Sequence, residues 1–420
     1  MENYYHRIMD DVLKDELNAF GGVLLVGPKW CGKTTTAARL AKSIVYMQNP
    51  DNKESYIRLA KIQPSLLLEG EKPRLIDEWQ MAPELWDAIR FDIDQKGKEG
   101  LYILTGSTIV DENSIAHTGA GRITRLLMRT MSLYESNDSN GSISLKELFL
   151  GNHDISAISP LSIRDISQLI VRGGWPRTLG KPIKIAKKQI SGYCNTIANS
   201  DIRSVDGVAR DEKKTKAIMR SLARHIGTQA PNTTILSDIK SNNESMSIDT
   251  LTDYINTLEK LFVIEDMPAW SPQLRSRTAI RTSNTRHYVD PAIAARMLDA
   301  GPDDLLFDLN TMGFLFESLV VRDLRIYSQQ INGRVYHYRD RNGLEIDAII
   351  TLDNGQWGGI EVKLGHDRID EGAQNLLKFS QIIDDKKMNK PSFLMVVTGT
   401  EFAYKRDDGV LVVPIGCLKH

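Results

Sequence analysis

Eight residues constrain this chain more than any others. Gly27, Pro28, Lys29, Trp30, Cys31, Gly32, Lys33 and Thr34 fit the pattern G-x-x-x-x-G-K-[ST]. The apolar run Gly22–Val26 before them reads as a short strand, and Thr35 to Met47 after them has helical character. Strand, glycine-rich loop and helix in that order is the context a phosphate-binding loop requires. Gly27 and Gly32 let the backbone curl and aim N–H groups at phosphate oxygens. The helix that follows adds its positive end. Lys33 then places an ammonium on the terminal phosphates and Thr34 offers a hydroxyl to magnesium, with Thr35 closing the stretch. The plainer alternative is a chance glycine turn with a solvated lysine, and it leaves the flanking strand and helix unexplained.

A second segment supports the first. Arg74-Leu-Ile-Asp-Glu-Trp79 is a short strand ending in two carboxylates, the form of a Walker B element. Asp77 is the expected magnesium ligand and Glu78 the group that orients the attacking water. Leu101 to Ser107 is another apolar strand with a polar end. Thr105 or Ser107 is there to read the γ-phosphate, or else only to make a turn. Tyr56–Leu59 and Arg125–Met131 complete an expected five-stranded, mostly parallel sheet with nucleotide at its carboxyl edge. Arg122 is a candidate arginine finger, in its own subunit or a neighbour's, or a surface arginine. Arg125 and Arg129 are weaker candidates for the same role.

Length and composition set the frame. The 420 residues exceed one ordinary core, and the expected division is 1–160, 161–290 and 291–420. Apolar residues make up 41% and charged residues 25%, the balance of a soluble globular chain. No apolar run approaches the roughly 20 residues that span a bilayer, and the first 20 residues lack a signal-like apolar stretch. Cys31, Cys194 and Cys417 fall in no metal-ligand or disulfide spacing. The expected place is the cytoplasm, with no membrane partner. A formal net charge of −1 gives no bulk attraction to nucleic acid, so DNA binding requires a local basic patch.

Gly27–Thr34, Leu75–Glu78, Leu104–Ser107, Gly121-Arg122 and Met131–Glu135 together resemble a family of prokaryotic AAA-type ATP-binding proteins. The resemblance runs over nearly the whole chain. It implies an α/β architecture: a P-loop AAA-type ATPase domain, a helical winged-helix-like middle and a carboxyl-terminal PD-(D/E)XK nuclease-like domain. ATP with Mg2+ is the implied cofactor, DNA a candidate partner and a homo-oligomer a candidate assembly.

The residues of the later regions fit that order. Gly173-Gly-Trp-Pro176 resembles a family motif and reads as a structural turn. A long helix follows over 183–200. Helices around 216–227, 235–240 and 247–261 and a strand at 262–265 suggest a winged helix or another small helical bundle. Leu274 to His287 holds Arg275, Arg277, Arg281, Arg286 and His287 with no acid among them, a nucleic-acid contact or a solvated hairpin. In the last third, a helix at 313–321 precedes strands at 335–339, 345–350 and 359–363, then a helix at 368–384 and a strand at 393–398. This order resembles the PD-(D/E)XK nuclease core. Glu361 and Lys363, two apart, share a strand face. Asp347 and Glu361, with Glu317 from the helix, are the expected ligands of Mg2+ or Mn2+, and Lys363 the expected catalytic lysine. Two functions follow: an ATPase acting on nucleic acid with a metal-dependent nuclease site, or an ATP-switched regulatory scaffold in which the nuclease-like fold is inactive.

Overall fold

A computed structural model describes residues 4–108, 119–205, 207–241, 246–272, 283–383 and 388–420. The chain forms two compact units: one of residues 1–130 with short returns at 204–208 and 260–262, and one of the remainder.

The amino-terminal unit runs α1 (Ile8–Ala19), β1 (Gly22–Val26), α2 (Lys33–Leu40), β2 (Ser43–Tyr46), α3 (Lys53–Ile62), α4 (Ser65–Leu68), β3 (Arg74–Asp77), α5 (Glu84–Lys96), β4 (Tyr102–Gly106) and β5 (Ile123–Leu127). Its sheet has the order β2-β3-β4-β1-β5, and every pairing is parallel. A parallel sheet must be covered on both faces, and period-two alternation in the strands does this. Val23, Leu25, Leu75 and Ile103 join Met9, Leu13 and Ala37 in one core. Leu24, Val26, Ile76 and Leu104 join Trp79, Leu85, Trp86 and Ile89 in the other.

Two expected elements differ. Helix α2 stops at Leu40, and Ser43–Tyr46 leaves it to become edge strand β2, paired with β3. Tyr56–Leu59, read as a strand, lies inside α3. There Ala60 is buried while Tyr56 and Leu59 pack on the core beside it. The spacing of these three is i, i+3, i+4, one helix face.

In the other unit β6 (Ile143–Ser144), α6 (Leu145–Phe149), β7 (Ala157–Ile158), α7 (Ile163–Arg172), α8 (Ile183–Thr196) and α9 (Ile202–Ser204) lead into three helices. These are α10 (Glu212–Arg224), α11 (Asn232–Ser241) and α12 (Ile248–Lys260), followed by an antiparallel pair β8 (Ile264–Met267) and β9 (Thr285–Tyr288). Helices α13 (Pro291–Met297), α14 (Pro302–Phe307) and α15 (Leu309–Gln329) come next. Then β10 (Gly333–Arg339), β11 (Glu345–Leu352), β12 (Trp357–Lys363), α16 (Ile369–Ile382), β13 (Phe393–Thr398), β14 (Phe402–Lys405), β15 (Leu411–Pro414) and β16 (Leu418–Lys419) complete the chain. A seven-stranded mixed sheet has the order β10-β11-β12-β13-β15-β14-β7.

A buried ion network ties this unit together. Arg322 pairs with Asp290 at 3.0 Å and with Asp323 at 2.8 Å, all but sealed from solvent. The remaining carboxylate capacity takes backbone N–H groups of Gly174, Ala292 and Leu133. A Cβ on Gly174 would lie 2.2 Å from the Met131 carbonyl oxygen and 3.0 Å from Arg322. The Gly-Gly-Trp-Pro turn and the Met131–Glu135 segment therefore meet because residue 174 has no side chain.

Candidate active site

The phosphate-binding loop connects β1 to α2. Gly27 has φ +149°, and a Cβ there would lie 2.0 Å from the Met128 carbonyl oxygen beyond β5. Only glycine lets the loop begin this close to its neighbour. Gly32, at φ +107°, caps α2. Trp30 has φ +67° with its side chain half-exposed. Pro28 and Cys31 are buried, Lys29 partly so and Thr35 exposed. Cys31 serves packing, its thiol against the Met128 carbonyl at 3.5 Å. Lys33 is 6% exposed, and its ammonium donates to the carbonyls of Gly27 (2.9 Å) and Pro28 (2.8 Å).

The Walker B carboxylates meet this loop. Asp77 Oδ1 accepts from Thr34 Oγ1 at 2.6 Å and from Thr105 Oγ1 at 2.7 Å. Thr105 is fully buried and also accepts the Glu78 N–H at 3.1 Å. Ser107 donates to Glu78 Oε2 at 3.3 Å, and Gln80 Nε2 donates to the same oxygen. Thr34, Asp77, Glu78, Thr105 and Ser107 thus converge from three chain segments at the carboxyl ends of β1, β3 and β4. Hydroxyl and carboxylate oxygens of this kind suit magnesium beside phosphate. The residue just before α1 contributes a group that belongs to no sequence motif. Arg7 is buried and donates to the carbonyls of Cys31 (2.8 Å), Arg129 (2.9 Å) and Thr130 (3.3 Å).

Arg122 is elsewhere. Its carbonyl accepts the Gly22 N–H, and Gly22 pairs with Ile123 where β1 and β5 begin. It therefore sits at the amino edge of the sheet, a strand length (about 16 Å for five residues) from Gly27. Its guanidinium binds Asp94 of α5 at 2.8 Å. A strand register, invisible in the sequence, separates it from the phosphate loop of its own chain. Arg129, past the end of β5, is on the loop side.

The second cluster lies on the mixed sheet. Glu361 and Lys363 share a face of β12 as expected, and Lys363 Nζ is 2.5 Å from Glu361 Oε2 and 3.7 Å from Asp347 Oδ2. The Glu361 contact is an ion pair, and among the described residues Oε2 has no hydrogen-bond donor in good geometry. Asp347 Oδ2 also accepts the Val362 N–H at 2.7 Å. Glu317, from α15, faces Gly227. Burial first, then the Asp347 charge, pushes Glu361 up to about 8. The same two causes push Glu317 well above the carboxylate range. Burial opposes the Lys363 charge, but Asp347 and Glu361 outweigh it and the net shift is upward. Among the described residues no group of three or more His, Cys, Asp or Glu side chains is gathered to hold a metal ion. In this arrangement the Lys363 ammonium pairs with both Asp347 and Glu361, and Glu317, on α15, stands outside that pairing.

Of the basic segment, Arg275, Arg277 and Arg281 lie outside the described residues. Arg286 is paired with Asp266 at 3.0 Å. His287 is buried, and that burial lowers it to about 3, so it stays neutral.

Comparison with known proteins fits this geometry. Residues 20–137 match the family model described as an AAA domain. That stretch spans the loop, both Walker elements and the sheet's parallel strands from β1 to β5. Residues 20–137 are similar to a P-loop AAA domain. Beyond the AAA domain, residues 163–304 match a domain of unknown function (DUF8612) and residues 312–418 another (DUF4143). A search of curated proteins finds no match. Among solved structures, a Walker-type ATPase of Pyrococcus abyssi is 14% identical, with 71% of this chain and 97% of that one covered and a TM-score of 0.41. The FIGL-1 AAA domain in complex with ADP is 14% identical, covering 61% and 78%, TM-score 0.21. Drosophila ORC bound to DNA is 10% identical, covering 69% and 84%, TM-score 0.20. With scores below 0.5 these are distant likenesses. No helix among the described residues is long and apolar enough to cross a membrane.

Proposed function

We propose that the AAA domain binds ATP with magnesium and hydrolyses it. The observation that carries this reading is the meeting of Thr34, Asp77 and Thr105 within 2.7 Å. It joins the phosphate loop to the Walker B strand where a nucleotide's phosphates would lie. Gly27 to Thr35 would surround the phosphates, with Lys33 turning its ammonium from the loop carbonyls to the terminal phosphate. Thr34 and Asp77 would hold the magnesium ion, which when bound neutralises charge on the phosphates. Glu78 would accept a proton from the attacking water, and Ser107 would hold one oxygen of that carboxylate. The test is ATP turnover and nucleotide affinity in wild type, Lys33→Ala and Glu78→Gln proteins. Lys33→Ala should lose binding or hydrolysis, and Glu78→Gln should bind but turn over slowly. Unchanged turnover in Lys33→Ala rejects the assignment.

For the other unit we propose action on nucleic acid. Three helices with a two-stranded hairpin support a winged-helix-like middle. The order α15-β10-β11-β12-α16-β13, with Asp347, Glu361 and Lys363 together, supports a PD-(D/E)XK nuclease-like fold. The alternative is an ATP-switched regulatory or scaffold protein. It is favoured by the internal pairing of Lys363 with both carboxylates and of Arg286 with Asp266. A cleavage assay on linear, circular and single-stranded DNA, with Mg2+ or Mn2+ and with or without ATP, separates the two. Cleavage lost in Asp347→Asn and Lys363→Ala supports the nuclease. No cleavage by wild type, with DNA affinity insensitive to salt, supports the scaffold.

A further inference from the structure

We propose that Gln80 is a positioning residue for ATP hydrolysis. Its side-chain amide holds one carboxylate oxygen of Glu78 and so fixes the direction in which the other meets the attacking water. This rests on reading the AAA domain as an ATPase.

Gln80 is firmly mounted. It lies in the 3-10 turn Trp79–Met81 directly after β3. Trp79 is 2% exposed, and its ring lies 5.0 Å from that of Trp86 on α5. The amide nitrogen donates to Glu78 Oε2. It cannot be reversed, because a flipped amide would set its carbonyl oxygen against a carboxylate. The other end of the amide is telling. Gln80 Oε1 is buried and has no hydrogen-bond partner among the described residues. A Cβ on Gly106 would lie 3.1 Å from that oxygen, so the glycine between Thr105 and Ser107 makes its room. A side chain placed for a wider polar network would have this acceptor satisfied. The contact that Gln80 does make is the one to Glu78.

Glu78 itself needs such a hold. It is a non-glycine residue at φ +57°, a conformation that persists where its surroundings over-determine it. Thr105 fixes its N–H, and Ser107 and Gln80 fix Oε2 from two sides. Both donors meet Oε2, and neither meets Oε1.

The experiment compares kcat, KM and the affinity for a non-hydrolysable ATP analogue in wild type, Gln80→Met and Gln80→Glu. The first variant keeps length without a donor. The second keeps shape but opposes one carboxylate with another. Both should lower kcat roughly ten- to hundredfold, the loss of one hydrogen bond to a charged group, with analogue affinity unchanged. In a Glu78→Gln background, Gln80→Met should add no further loss, since the two residues act as one unit. Retained kcat in the variants, loss of analogue affinity in step with kcat, or a full additional loss in the Glu78→Gln background would overturn this inference while leaving the ATPase reading intact. A wild-type protein that does not hydrolyse ATP would overturn that reading and this one with it.

Discussion

Replacing Thr105 by valine tests the site's central joint. The side chain is fully buried and its hydroxyl makes two contacts: it donates to Asp77 at 2.7 Å and accepts the Glu78 N–H at 3.1 Å. Valine has nearly the same shape, so no cavity forms and only the hydroxyl is lost. Stranding the Glu78 N–H costs about 1–3 kcal/mol, and losing a donor to a carboxylate about 1.5–3 kcal/mol. Since Thr34 still serves Asp77, the total should be about 2–5 kcal/mol. Thr105→Ser gives the opposite trade. It keeps both hydrogen bonds and gives up one buried methyl, about 1 kcal/mol. Urea melts followed by tryptophan fluorescence should rank the proteins wild type, serine, valine in falling stability, and ATP turnover should follow the same order. If valine is as stable as serine or more so, the hydroxyl is not what joins the two carboxylates to the sheet, and the account of the site is wrong.

Three further outcomes follow. Arg122→Ala should leave turnover unchanged, and mixing it with Lys33→Ala protein should restore nothing. Rescue on mixing would place the arginine in a neighbour's site. Arg322→Met should destabilise the second unit by about 3–5 kcal/mol, because it leaves Asp290 and Asp323 buried without their cation. Adding Asp290→Asn and Asp323→Asn should recover much of that loss in thermal melts, and no recovery would contradict the charge argument. Glu361, raised to about 8 in the fold, favours the folded state when protonated. Its contribution is full below the ordinary value of about 4.3 and is lost as pH rises through about 8. Wild type should therefore lose stability relative to Glu361→Gln across that window, and parallel curves would refute the shift.

The phosphate loop and Walker B strand were legible because their chemistry is local: fixed spacing, glycines where the backbone must curl, carboxylates at a strand end. Glu361 and Lys363 were legible for a similar reason, since residues two apart on a strand must share a face. The run Ser43–Tyr46 was hidden by length, as four residues after a helix carry too little period to separate strand from helix. Tyr56–Leu59 misled because its aromatic and branched residues favour strands, while the helical spacing shows only over the longer span Lys53–Ile62. Arg122 was left open, as finger or surface arginine, for a different reason. Which end of a sheet a residue occupies depends on strand register, a long-range property. Arg7 and Gln80 belong to no motif in the reading, and their roles follow from contacts that only folding creates.

The close fit of Gly27 and Cys31 against Met128, with Arg7 grasping the carbonyls of Arg129 and Thr130, carries a consequence for synthesis. A nascent chain displays both Walker motifs by residue 78, yet one flank of β1 has no partner until Ile123–Leu127 arrive. The cradle is therefore assembled last, from its farthest piece. A ribosome-bound fragment ending near Ser107 should not retain nucleotide, whereas one that has released residue 130 should. Since β5 supplies the second flank of β1, the cradle cannot close before it arrives.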